Sequence, residues 1–262
     1  MGSMLDKKKV LQDQGKNKYG FIVAAIFLVW LFWPQNNSFI RLSYWSYNFF
    51  YNASKLFHIE MSTESMHYRN NAVYLAKIYP KNSELSLKAM QKAISLLPEN
   101  ASTVEIDKLY KERAIIKMFY GDKKGALEDY DEVSMLEPID NLRIAILLAD
   151  TEQYNDAISY CKGIITKDNT IDVNRYVCTA YVYEKTGNDA AALRIYDWVI
   201  GTYPRNAALY IERANLKKRT GNEQGYIEDI NAAKKISPDI VPEEASIIDN
   251  AVNFKGVPLS VK

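Results

Sequence analysis

From about residue 67 onward, small, bulky and polar positions return in a fixed register. Small residues stand at Ala114, Ala145, Ala180 and Ala214, and twelve positions after each come Ala126, Ala157, Ala192 and Tyr226. Four positions later the chain carries Tyr130, Cys161, Tyr196 and Ile230, and three later again Val133, Ile164, Val199 and Ala233. Steps of three and four put these side chains on one face of a helix. Two small residues at constant separation let antiparallel helices approach closely where they cross, so each pair predicts one helical hairpin. Gly121, Gly187 and Gly221 mark the interhelical turn, and Pro138, Pro204 and Pro238 close their units; the second unit has Glu152-Gln153-Tyr154 at its turn and Asn169 at its end.

The units so defined are 107–137, 138–172, 173–206 and 207–240. A weaker unit over about 67–106 carries Ala72-Val-Tyr-Leu-Ala76 in its first helix and Ser86, Met90, Ala93 and Pro98 in its second, with an insertion around 99–104 separating it from the rest. Residues 241–262 read as a capping helix and tail. The helix begins at Pro242-Glu-Glu and carries Ala245, Ile248 and Val252 on one face, which would cover the apolar side of the last hairpin.

On these residues the array resembles the tetratricopeptide repeat family, whose unit is a 34-residue helix-turn-helix. Glu152-Gln153, Tyr226 and the absence of the family's Trp from the first helices depart from the pattern. The resemblance implies an all-α fold, a solenoid of helical hairpins with an inner groove lined by first helices, and protein partners. On the family register that groove takes Lys111, Ile115, Phe119, Leu142, Ile146, Val177, Tyr181, Lys185, Ile211, Asn215 and Arg219. Apolar and aromatic centres with basic residues toward one end suit a peptide or a partner helix. The family's clamp for a C-terminal carboxylate is not intact, because Ile115 and Tyr181 stand where it uses Asn.

The N-terminal region follows a different pattern. Lys7, Lys8, Lys9, Lys16 and Lys18 precede an uncharged run from Gly20 to Trp33 that Pro34 stops. No small-x-small cleavage site follows, Lys16 and Lys18 can snorkel, and Tyr19, Trp30 and Trp33 suit the membrane interface. The reading is a single-pass transmembrane helix over 20–34 that anchors the chain in the lipid bilayer after a basic cytoplasmic tail over 1–19. The lysine excess places later residues on the extracytoplasmic side, as for a bacterial inner membrane facing the periplasm. An organellar anchor with cytosol-facing repeats, acting as a targeting-peptide receptor, is the alternative. In the juxtamembrane segment 35–66, Phe39, Leu42, Trp45, Phe49, Leu56 and Phe57 form a helical stripe. It either docks on the membrane or a membrane partner, or packs on the first hairpin.

Composition narrows the chemistry. Lys and Arg number 33 against 32 Asp and Glu, a net charge of +1, so there is no basic field to draw nucleic acid. Cys161 and Cys178 lack a C-x-x-C spacing and read as two buried small residues in adjacent helices, with a disulfide between consecutive units as the alternative. His58 and His67 fall in a polar connector and read as surface residues, not as metal ligands. Glu128-Asp129 and Glu228-Asp229 read as solvated second-helix charge. No phosphate loop, metalloprotease or nucleophile-elbow motif occurs. The expectation is a non-enzymatic scaffold without catalytic residues, cofactor, metal or small-molecule substrate. It would mediate protein–protein interactions on the extracytoplasmic side within a larger envelope complex. A binding module for a non-protein polymer is the lesser alternative.

Overall fold

The computed structural model describes residues 64–78, 83–164 and 173–252. The chain divides into two compact units, 1–61 and 62–262, and every described residue lies in the second. The anchor expected over 20–34 and the stripe from Phe39 to Phe57 lie outside the described residues. Among the described helices none is long and apolar enough to cross a membrane.

The helices are α1 (Glu64–Ile78), α2 (Ser83–Ser95), α3 (Thr103–Phe119), α4 (Lys123–Asp131), α5 (Pro138–Asp150), α6 (Tyr154–Lys162), α7 (Val173–Lys185), α8 (Asp189–Thr202), α9 (Ala207–Arg219) and α10 (Glu223–Ile236), followed by the short α11 (Pro242–Ala245) and α12 (Ile247–Val252). They pair as hairpins α1–α2, α3–α4, α5–α6, α7–α8 and α9–α10, and each second helix packs on the first helix of the next hairpin. Ala114, Ala126, Ala145, Ala157, Ala180, Ala192 and Ala214 are fully buried where the helices cross. Tyr130, Cys161 and Tyr196 fill the space beside them and join one apolar cluster through successive hairpins. Each large apolar side chain so buried contributes about 1.5–3 kcal/mol.

The turns follow from two residues. Gly121, Gly187 and Gly221 adopt φ of +84°, +77° and +79°, the left-handed conformation that glycine enters without steric cost. The next residue, Asp122, Asn188 or Asn222, accepts a hydrogen bond from the backbone N–H of Gly125, Ala191 or Gly225 and caps the second helix. In hairpin α5–α6 both are replaced. Glu152 takes the left-handed position at φ +64°, and Gln153 makes no side-chain cap.

The weak first unit forms hairpin α1–α2 around Ala72, Ala76, Met90 and Ala93. Ser86 donates to the carbonyl of Ala72 and Ser65 to that of Ala93, both at 2.8 Å. Helix α1 begins inside the expected connector, and His67 is 1% exposed, so its surface assignment is corrected: the helix turns it into the core. Arg69, fully buried, holds Glu112 of α3 in a bidentate ion pair, with Nε donating at 2.6 Å. The 99–104 stretch is short, because Ser102 and Glu105 form a capping box that starts α3 there.

Two further readings change. Cys161 of α6 and Cys178 of α7 are buried as expected but form a disulfide that ties consecutive hairpins together. Asp129 and Asp229 are not solvated: they are 2% and 3% exposed. Asp129 binds Arg113 at 2.6 Å and Lys117 at 3.0 Å, and Asp229 binds Arg213 at 2.6 Å and Lys217 at 2.9 Å. Tyr110 and Tyr210 lie under the two guanidinium groups. At the same register, hairpin α7–α8 has Tyr176, Tyr183 and Ile195, and there the clamp gives way to an open hollow of about 390 Å³ lined also by Arg194 and Trp198.

Candidate partner-binding face

The first helices of four hairpins carry a segment of the chain's own C-terminus. Instead of continuing the stack, the residues after α10 form α11, bend at Ser246 (φ −65°, ψ 129°), and lay α12 against α3, α5, α7 and α9. The expected single capping helix is therefore broken in two, and its second half covers the face assigned to a ligand.

Polar groups hold both ends of α12. Oε1 of Glu212 on α9 accepts hydrogen bonds from the hydroxyl of Ser246 at 3.0 Å, from the N–H of Ile248 at 3.2 Å and from the N–H of Ile247. These are amides that an α-helix start leaves without an internal partner. At the other end Nε of Arg143 on α5 donates to the carbonyl of Ala251 at 2.9 Å. Between them Ile248 and Ala251 enter the buried cluster that contains Leu142, Ile146 and Val177. Burial raises the Glu212 carboxyl, its three donors oppose that, and the nearby Asp249 adds to it; the result is about 7.

The residues expected to line the groove differ in burial. Ile115, Leu142, Ile146, Val177 and Ile211 are at most 4% exposed. Ile115 packs with α1 and α2, Ile211 shares a cluster with Ala245, and the other three share theirs with Ile248. Their apolar surface is spent on neighbouring hairpins and on the C-terminal segment. Phe119 and Asn215 remain exposed.

The basic groove residues are staples between elements. Lys111 pairs with Asp140 at 2.7 Å, and Arg219 pairs with Asp189 at 2.7 Å and Glu184 at 3.2 Å. Lys185 pairs with Asp150 at 2.7 Å, and the same carboxylate accepts from the Tyr181 hydroxyl at 2.7 Å and binds Lys123 at 3.0 Å. Asp150 thus joins α4, α5 and α7. Burial raises its carboxyl, but the bonds from Lys185, Tyr181 and Lys123 outweigh that and hold it below the usual range.

Glu212, Arg143 and Asp150 were not anticipated. One signal was present: Glu112, Arg143, Cys178 and Glu212 each stand two residues before the small residue of a first helix. In the fold each reaches out of its own hairpin, to Arg69, the Ala251 carbonyl, Cys161 and α12 respectively. Among the described residues no cluster of three metal-binding side chains occurs.

The fold and this face define an all-α stack of helical hairpins whose first helices seat a short peptide segment. No family model matches the chain, and no curated protein matches it. Solved structures similar to it include YrrB, described as a TPR protein with an unusual peptide-binding site, at 18% identity and a TM-score of 0.43, covering 68% of this chain and 88% of that one. A double mutant of MamA from RS-1 is 14% identical with a TM-score of 0.46, covering 70% of this chain and 100% of that one. MamA from MSR-1 is 12% identical with a TM-score of 0.41, covering 68% and 98%.

Proposed function

We propose that the protein is a membrane-tethered scaffold of tetratricopeptide type that binds protein segments on the first-helix face, on the extracytoplasmic side and within a larger envelope assembly. The observation that carries the reading is the seating of Ser246–Val252 across four first helices, held by Glu212 and Arg143. A surface that satisfies peptide N–H and C=O groups while burying apolar side chains is a peptide-recognition surface. The basic, then apolar N-terminal sequence supplies the tether, which raises the local concentration of the array near membrane partners. The Cys161–Cys178 disulfide favours an oxidising compartment and so the extracytoplasmic side over the cytosol.

Protease treatment of intact cells, spheroplasts and inverted membranes tests the topology. The array should be cleaved in spheroplasts and protected in inverted vesicles, and Cys161 and Cys178 should resist alkylation until reductant is added. Cleavage only from the cytosolic side, or free thiols in native membranes, overturns the compartment. Crosslinking in native membranes should recover defined protein partners with the full chain and lose them when residues 64–252 are deleted.

A further inference from the structure

The C-terminal segment has the features of a bound ligand more than those of a structural cap. Helix α12 has six residues, far below the length at which an isolated helix is stable in water. Its conformation therefore comes from the face that holds it. Its two ends are secured from different hairpins, by Glu212 of α9 and Arg143 of α5. Its buried side chains are Ile248 and Ala251, one turn apart, while Asp249 and Asn250 face water. The preceding link is shallow: Val241 is 49% exposed and Glu244 is exposed. The segment is held by Glu212 and Arg143 at its two ends and by Ala245, Ile247, Ile248, Ala251 and Val252 packing on the hairpins, and a short element of this kind opens locally without unfolding the rest.

We propose that residues 242–252 are a displaceable internal occupant of the first-helix face, and that its external ligand is a protein segment of the same chemistry. That ligand is a short helix entered through a serine or threonine, with its first amides on Glu212, a terminal carbonyl on Arg143 and apolar side chains at the positions of Ile248 and Ala251. The inference rests on the reading of the array as a protein-binding scaffold. Tethering gives the internal segment an effective concentration in the millimolar range, so a free segment of equal intrinsic affinity competes poorly until the occupant is weakened.

The test uses a fluorescent peptide of residues 241–252 with the full-length chain and its Ile248→Asp variant. The substitution drives a carboxylate into the apolar cluster and releases the segment, while circular dichroism reports whether the hairpins persist. The peptide should bind the variant at least about tenfold more tightly than the parent. A peptide carrying the same Ile248→Asp change should not bind, and adding Glu212→Lys to the variant should abolish binding. Equal binding to parent and variant, or no binding to a variant that keeps its helices, overturns the proposal. If Ile248→Asp fails to fold, hydrogen exchange on the parent chain decides. The amides of Ile248 to Val252 should exchange about a hundredfold faster than those of Val177 to Val182 in α7, and exchange of the two together overturns it. The peptide comes from the chain itself, so a failure here is read separately from a failure of the topology and crosslinking experiments.

Discussion

Arg213 reaches across hairpin α9–α10 to Asp229 at 2.6 Å, and Arg113 reaches Asp129 at 2.6 Å in the same way across α3–α4. Each aspartate is also held by the lysine one turn along the first helix, so one buried carboxylate closes each hairpin. Removing it strands two cations facing a protein wall, which costs more than the pair contributes net. Asp129→Ala should therefore lose about 3 kcal/mol in urea denaturation. Glu128→Ala, one residue earlier and exposed, should change stability by less than about 0.5 kcal/mol.

The Cys161–Cys178 bond spans 17 residues and includes the segment 165–172 between α6 and α7. Closing a loop of this size restricts the unfolded chain by about 3 kcal/mol. Reductant should lower the melting temperature of the parent protein. It should leave a Cys161→Ala/Cys178→Ala variant unchanged, and that variant should melt below the oxidised parent.

Hairpin α5–α6 lacks both elements that form the turns of α3–α4, α7–α8 and α9–α10. A non-glycine residue in the left-handed region costs about 1 kcal/mol or more, and an unfilled N-cap about 1 kcal/mol. Glu152→Gly should raise stability by about 1 kcal/mol, and adding Gln153→Asn should raise it by a similar amount. Thermal denaturation of the single and double variants checks both steps. A fall on Glu152→Gly would mean that this side chain makes a compensating contact.

Glu212 gives the fold a pH dependence with a definite sign. Its carboxyl sits at about 7 in the folded chain against 4.5 ordinarily, so the folded state binds the proton more tightly. Its contribution to stability is complete below about 4.5 and is lost as pH rises through about 7. All three donors use Oε1, which leaves Oε2 for the proton. Glu212→Gln keeps Oε1 and removes the titration. It should match the parent near the acid end of this window and exceed it at alkaline pH, by on the order of 1–3 kcal/mol. Melting curves across the window measure the difference.

The hairpins were legible in the sequence because they rest on local rules. A helical period, a small residue at each crossing and a left-handed glycine before an Asx cap all act within one unit, so Ala114, Ala126, Gly121 and Asp122 state their roles by position alone. The resemblance to tetratricopeptide repeats carried this across the array. The same register could not say which first-helix residues stay open, because exposure depends on what lies over them. Leu142, Ile146 and Val177 have the pattern of a groove, and packing against neighbouring hairpins and the returning α12 turns them into core.

Charge was the second thing the sequence left undecided. Asp129 reads as solvated charge and Lys185 and Arg219 as groove residues, and whether such a group is free or clamped depends on which opposite charge the stack brings within about 3 Å. Cys161 and Cys178 are alike in this respect: their spacing permitted a bond, and the packing of α6 on α7 made it. The sequence by itself determined the repeating unit, since that is written in nearest-neighbour chemistry. Tertiary structure decided the ligand face, since a surface is defined by residues far apart in the chain and by whatever already occupies it.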